Sequence, residues 1–215
     1  MTHSFQGRTK IKTAVITGHH PYEVTDFHLL FRSVPEIDFY PQNMEDFVTD
    51  TGKGRKQYDV LVFYNMHMET PVNKTKEVLE QLGETEQGIL MLHHAILAFP
   101  KWQLWSDVCG IEDRSFHFYP EQDIRIEITN HHPVTESLTS WKMIDETYTM
   151  KNAGESNEII LITDHPKSMK TIAWTRHYRK ARIFCYQSGH DSQTYSNPQF
   201  RTVLARGIQW LAGSI

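Results

Sequence analysis

Apolar residues in this chain fall into short, nearly unbroken runs: Thr13–Thr17 (TAVIT), Tyr58–Tyr64 (YDVLVFY), Gly88–Leu92 (GILML) and Ala181–Tyr186 (ARIFCY). Such runs, rich in β-branched and aromatic residues and lacking a polar face, suit strands covered on both sides, as in parallel sheets. Glu36–Tyr40 reads as a further strand, closed by Pro41. Between them the period changes. Tyr22–Val34 carries Val24, Phe27, Leu30 and Phe31 at helical spacing. Thr70-Pro71 predicts a helix start, with Val72, Val78, Leu79 and Leu82 as its buried stripe. Ala95 to Val108 reads as a helix interrupted at Pro100 and closed by Gly110. Asn197-Pro198 opens a last amphipathic helix with Phe200, Val203, Leu204, Ile208 and Trp210. From Ser115 to Thr175 the pattern alternates instead, as in Asp123–Thr129 and Trp141–Tyr148, which predicts antiparallel or edge strands. The order is that of one α/β domain over residues 1–215, with a mostly parallel central sheet and an inserted β-rich segment.

Composition narrows the function classes. With 22 Lys+Arg against 26 Asp+Glu the formal charge is −4, so no basic field attracts phosphate backbones and nucleic acid is not an expected partner. No apolar stretch reaches the roughly 20 residues of a membrane span, and Met1–Lys12 lacks the apolar region of a secretory leader. A cytoplasmic protein with no membrane partner is therefore expected. Cys109 and Cys185 are the only cysteines and have no CxxC spacing, so they read as small buried hydrophobes. No GxGxxG or GxxxxGK[ST] motif supports a nucleotide or phosphate binder.

The 13 histidines change the picture. Ligands of open parallel sheets bind beyond the carboxyl ends of the strands. Every such exit here carries histidine: His19-His20, Asn65-Met66-His67, His93-His94, and Gly189-His190-Asp191. Imidazole is the side chain best suited to proton transfer and metal ligation near neutral pH. His93, His94, His190 and Asp191 are the expected catalytic set, with Asp191 or a backbone carbonyl fixing the His190 tautomer. His94 and His190 are the expected ligands of a divalent metal such as zinc. His19 is a further candidate for the same cleft. Of the adjacent Asp145 and Glu146, strand alternation turns only one toward it, and Glu146 is taken for substrate binding. Tyr22, Trp102, Tyr148 and Tyr195 are candidate rim aromatics for stacking on sugar faces. His131-His132-Pro133 reads as a solvated turn.

Several segments together resemble the trehalose-utilisation (ThuA-like) family: GILMLHHA (Gly88–Ala95), NHHPVTESL (Asn130–Leu138), DETYTM (Asp145–Met150), AWTRHYRKARIFCYQSGHD (Ala173–Asp191) and NPQFRTVLARGIQW (Asn197–Trp210). The resemblance implies a flavodoxin-like, class I glutamine amidotransferase-like three-layer sandwich. In it Gly88–Ala95 is the nucleophile elbow, and Gly189-His190-Asp191 falls where amidotransferases keep the catalytic histidine and a carboxylate. A glutaminase needs a thiolate at the elbow, and this chain has His93-His94 there, so glutamine hydrolysis is not expected. The family implies a sugar or sugar derivative as ligand. Two functions remain: a carbohydrate enzyme with a His-rich, metal-binding cleft, or a non-catalytic sugar-binding or assembly module. The sequence leaves a homo-oligomer open.

Overall fold

The computed structural model describes residues 10–215. Most of the segment on which the absence of a leader rests lies outside the described residues. Nine strands form one sheet in the order β2-β1-β3-β4-β9-β8-β7-β5-β6. Strands β1 (Ile11–Gly18), β2 (Ile37–Asn43), β3 (Val60–Asn65), β4 (Gly88–Leu92) and β9 (Ala181–Tyr186) run parallel. The predicted β-rich segment supplies β5 (His117–Ile128), β6 (Trp141–Thr149), β7 (Glu158–Ile162) and β8 (Thr171–Tyr178), which extend the sheet beyond β9 in antiparallel fashion.

The unbroken apolar runs are explained by two cores, one on each sheet face. Val15, Val62, Leu90 and Phe184 pack against α1 (Val24–Arg32) and α6 (Pro198–Leu211). Their neighbours Ile16, Phe63, Met91 and Cys185 point the other way, toward α2 (Met44–Thr49), α3 (Asn73–Leu79) and α4 (Gln103–Cys109). Alternate side chains of a strand face opposite sides, so covering both faces leaves no polar position. Helix α6 starts as predicted, with Pro198 in its first turn and the Asn197 side chain accepting from the Phe200 amide at 3.0 Å.

Four boundaries differ from the sequence reading. Pro41 lies inside β2 rather than ending it, because β2 is an edge strand whose one ladder is with β1. Helix α3 begins at Asn73, whose left-handed φ of 51° breaks any helix continuing from Pro71, and Val72 is 66% exposed instead of buried. The segment after β4 is a 3-10 turn, His93–Leu97, then α4, separated around Pro100. Strand β5 starts six residues earlier than the alternation suggests, at His117; its outer half is mostly exposed and crosses a register shift between Tyr119 and Gln122.

Buried Arg114 shapes the segment behind the first histidines. Its guanidinium donates to the carbonyls of Ile96, Ala98, Phe99 and Trp102 and to the Ser106 hydroxyl. An arginine can be buried only with its donors satisfied, and here that requirement organises the backbone following His93-His94.

Candidate functional site

Register brings the site together. Leu92 of β4 lies opposite Tyr186 of β9, so His93 and Gln187 leave the sheet side by side. His93 has a left-handed φ of 53°, a strained conformation for a residue with a β-carbon, and its ring is wholly buried. That strain identifies His93, rather than His94, as the residue at the elbow. The His93 Nδ1 lies 2.8 Å from the Gln187 carbonyl, a contact that places its proton there and leaves Nε2 as a lone-pair donor.

Around Nε2 three groups converge. The His190 Nδ1 is 3.2 Å away, the Tyr148 hydroxyl 2.7 Å and the Glu146 Oε1 3.6 Å. Glu146 Oε1 is also 3.5 Å from His190 Nδ1. Burial alone would raise Glu146, but the neighbouring His93, with His190, brings it below the usual carboxylate range. Burial, followed by the charge of Glu146, pushes the Tyr148 hydroxyl well above its ordinary value, so it stays a proton donor.

The turn that carries His190 is pinned from both sides. Asp145 accepts the Gly189 amide at 3.0 Å, the His190 amide at 3.1 Å, the Thr194 hydroxyl at 2.8 Å and its neighbour's Glu146 amide at 2.9 Å. The Tyr64 hydroxyl donates to the Gly189 carbonyl at 2.8 Å, and Tyr195 donates to the His190 carbonyl at 3.0 Å. Gly189 itself has φ 127°, and a side chain there would meet Phe200 and Leu92. His190 is thus held by its backbone, while its ring, 29% exposed, faces the cluster.

The expected candidates separate accordingly. His93, His190, Glu146 and Tyr148 converge, the last as a hydrogen-bonding group and not as a rim aromatic. His94 sits beside them, but its Nε2 faces the Tyr64 carbonyl at 3.3 Å, so the three residues whose ligand atoms lie close enough to hold one ion together are His93, Glu146 and His190, without His94. Burial, then His93 and His20, holds His94 well below the usual histidine range. Its ring stacks on His20 at 4.1 Å, and the Nδ1 atoms of both rings are buried without hydrogen-bond partners.

Asp191 does not orient His190. Its carboxylate accepts from the amides of Gln193 and Thr194 as the cap of the short helix α5 (Ser192–Tyr195). Both Asp145 and Glu146 serve the site, against the one-sided expectation: Asp145 binds the backbone of the Gly189-His190 turn and Glu146 the rings. Tyr22 packs on Phe27 and Tyr64. Trp102 stacks on Trp105 in the core, and Tyr195 is buried behind His190, so neither is a rim residue. His19 lies apart, next to His67 and Glu45. His132 is buried, its Nδ1 accepting from the Val134 amide at 3.1 Å, and is not a solvated turn residue. Sequence reasoning missed Gln187, Tyr64, Thr194 and Glu45. The first three act through backbone atoms or turn support, which carry no residue-type signature, and Glu45 lies on a helix and not at a strand exit.

Among the described residues, no helix is long and apolar enough to cross a membrane. No curated protein matches the sequence. In fold the chain is similar to a ThuA-like protein from Parabacteroides merdae, with a TM-score of 0.76 and 21% identity over 96% of this chain and 91% of that one. A ThuA-like protein from Bacteroides uniformis gives 0.73 and 18% over 98% and 95%. A glutamine amidotransferase from Thermotoga maritima gives 0.55 and 10% over 93% and 98%, which establishes the amidotransferase-like α/β sandwich and no more. The family model described as ThuA, trehalose utilisation, matches residues 33–211, a span that takes in β2 to α6 and every member of the His93 cluster, and the chain therefore belongs to the ThuA family.

Proposed function

We propose that the cluster at the carboxyl edge is the reaction centre of a cytoplasmic enzyme acting on a sugar or sugar derivative, with His93, Glu146 and His190 holding a divalent ion such as zinc. The observation that carries this reading is the spacing of the three ligand atoms, 3.2, 3.5 and 3.6 Å. Ligands about 2.1 Å from a tetrahedral zinc stand about 3.4 Å from one another. Two imidazoles and one carboxylate form a donor set suited to catalytic zinc, which keeps its fourth position open. The tie from His93 Nδ1 to Gln187 is the outer contact that orients a ligating imidazole.

Such an ion would polarise a carbonyl or lower the pKa of a bound water. The Tyr148 hydroxyl, kept protonated, is placed to donate to an oxygen that gains charge beside His93. His190, the most exposed of the three side chains, is positioned to meet the ligand first. The unpartnered Nδ1 atoms of His20 and His94 offer polar contacts for hydroxyl groups. The sugar class rests on the family's description, trehalose utilisation. A thiolate mechanism has no support, because Cys109 and Cys185 are free, buried and within the core on one sheet face. Free thiols also fit the reducing cytoplasm.

The test is elemental analysis of untagged protein, wild type against Glu146→Gln and His190→Gln. Each variant is expected to lose the ion held at this site and with it turnover. Saturable sugar binding by a metal-free wild type with no turnover would instead identify a binding module.

A further inference from the structure

We propose that His19, Glu45 and His67 form a second, solvent-facing site for a late first-row divalent cation at the same edge of the sheet, independent of the reaction centre above. Gly18 of β1 pairs with Asn65 of β3, so His19 and His67 leave adjacent strands together. The His67 ring is fixed on all sides but one. One face stacks on Phe99 at 5.4 Å and the other on His19 at 3.9 Å. Its Nδ1 lies 3.2 Å from the fully buried side-chain amide of Asn65, whose oxygen has no other partner; with that oxygen turned to Nδ1 it accepts the ring N–H and leaves the Nε2 lone pair free. A β-carbon at Gly18 would come within 2.9 Å of the His67 Cε1, so this approach requires glycine at that position.

What remains is Nε2, and it is buried without a hydrogen-bond partner. Glu45 Oε1 stands 3.6 Å from it and 4.0 Å from the His19 Nε2. These gaps are too long for hydrogen bonds and close to the roughly 3.4 Å between ligands of one tetrahedral ion. His19 and Glu45 are both exposed side chains, free to close the few tenths of an ångström that remain. A buried polar atom left unsatisfied costs about 1–3 kcal/mol, which a bound cation removes. Imidazole with carboxylate selects zinc, nickel or cobalt over magnesium or calcium. Three protein ligands leave positions open to water, which a carboxylate or a pair of hydroxyls on a ligand can replace. His20, next in sequence to His19, stacks on His94, so such a ligand would lie toward the main cluster.

The experiment is a zinc titration by calorimetry of chelator-stripped, untagged full-length protein, with stoichiometry confirmed by elemental analysis. The wild type is expected to bind two ions in two classes. Glu45→Gln, an exposed change that leaves the fold intact by its unfolding curve, is expected to weaken one class by no less than the roughly 10–100-fold that losing an outer contact costs. Glu146→Gln is expected to remove the other class and spare this one. Binding by Glu45→Gln equal to wild type in number and affinity overturns the proposal. Loss of a class in Glu45→Gln, with none lost in Glu146→Gln, upholds this site and rejects metal at the reaction centre.

Discussion

Asp145→Asn probes the support of the His190 turn with almost no change in shape. Three of the four hydrogen bonds converge on Oδ1, from the amides of Glu146 and His190 and the Thr194 hydroxyl. Only the Gly189 amide uses Oδ2. An asparagine whose carbonyl takes the Oδ1 position keeps three and turns its NH2 against the Gly189 N–H; the flipped amide loses three. The first orientation wins, and its cost is one stranded buried donor facing another, about 1–3 kcal/mol. An opposing effect exists. Burial outweighs His93, Thr194 and the two turn amides and raises the Asp145 pKa, so a neutral side chain recovers part of the cost of burying the charge. A protonated aspartate would set an O–H against the same donors, so that recovery cannot cancel the clash. The expected net loss is about 1–2 kcal/mol, or about 2–8 °C in Tm for a chain of this length. Asp145→Ala, which strands the three backbone donors and leaves the Thr194 hydroxyl only the Ile144 carbonyl, should lose about 3–5 kcal/mol. Chelator-treated protein should be used for the unfolding curves, so that metal linkage does not enter. Well below Tm, Asp145→Asn should still lower zinc affinity and turnover about 10–100-fold, because the His190 backbone moves. An Asn variant as stable as wild type would show that the charge burial dominates and that the turn does not depend on this carboxylate.

His190→Gln should lower turnover by about 10²–10⁴ with little change in the Tm of stripped protein; a sharp stability loss with turnover intact would make His190 structural. Cys109→Ser and Cys185→Ser should keep full activity while losing about 1–3 kcal/mol in denaturant unfolding, since each buries a hydroxyl whose nearest carbonyl, Ile96 or Cys109, stands at the 3.9 or 3.7 Å that suits sulfur and is too long for oxygen; inactivation with the fold intact would restore a thiol mechanism. Gly207→Ala should lower Tm, because its β-carbon would collide with the Phe184 ring in the core, an overpacking cost of about 1–3 kcal/mol that exceeds the roughly 1 kcal/mol gained in helix propensity. Burial, only partly opposed by Glu158, lowers the His132 pKa, so below about pH 6.5 the unfolded chain takes up the proton first. Stability from this group is complete above that pH and is lost as the pH falls through the folded value. His132→Asn, which keeps a capping acceptor but cannot titrate, should flatten the Tm profile between about pH 7 and 5; an unchanged slope would refute the assignment.

The core strands and their parallel arrangement were legible in the sequence because double burial leaves a local mark, an apolar run without alternation. TAVIT, YDVLVFY, GILML and ARIFCY all became core strands, and because ligand sites follow strand ends, His93 and His190 could be named as candidates from position alone. The caps at Asn197 and Gly110 were equally local. Which histidine does what was not. His93 and His94 are adjacent and of one residue type, and only the left-handed backbone at His93, with the carbonyl of Gln187 across the β4–β9 register, turns one ring into the cluster and the other onto Tyr64. Asp191 looked like the partner of His190 because it follows it in sequence. In the fold Asp191 is occupied by α5, and the carboxylate beside His190 comes from Glu146 on an antiparallel strand 44 positions earlier. Pairing between distant segments depends on strand order and register, and a sequence pattern that records burial residue by residue holds no information about either.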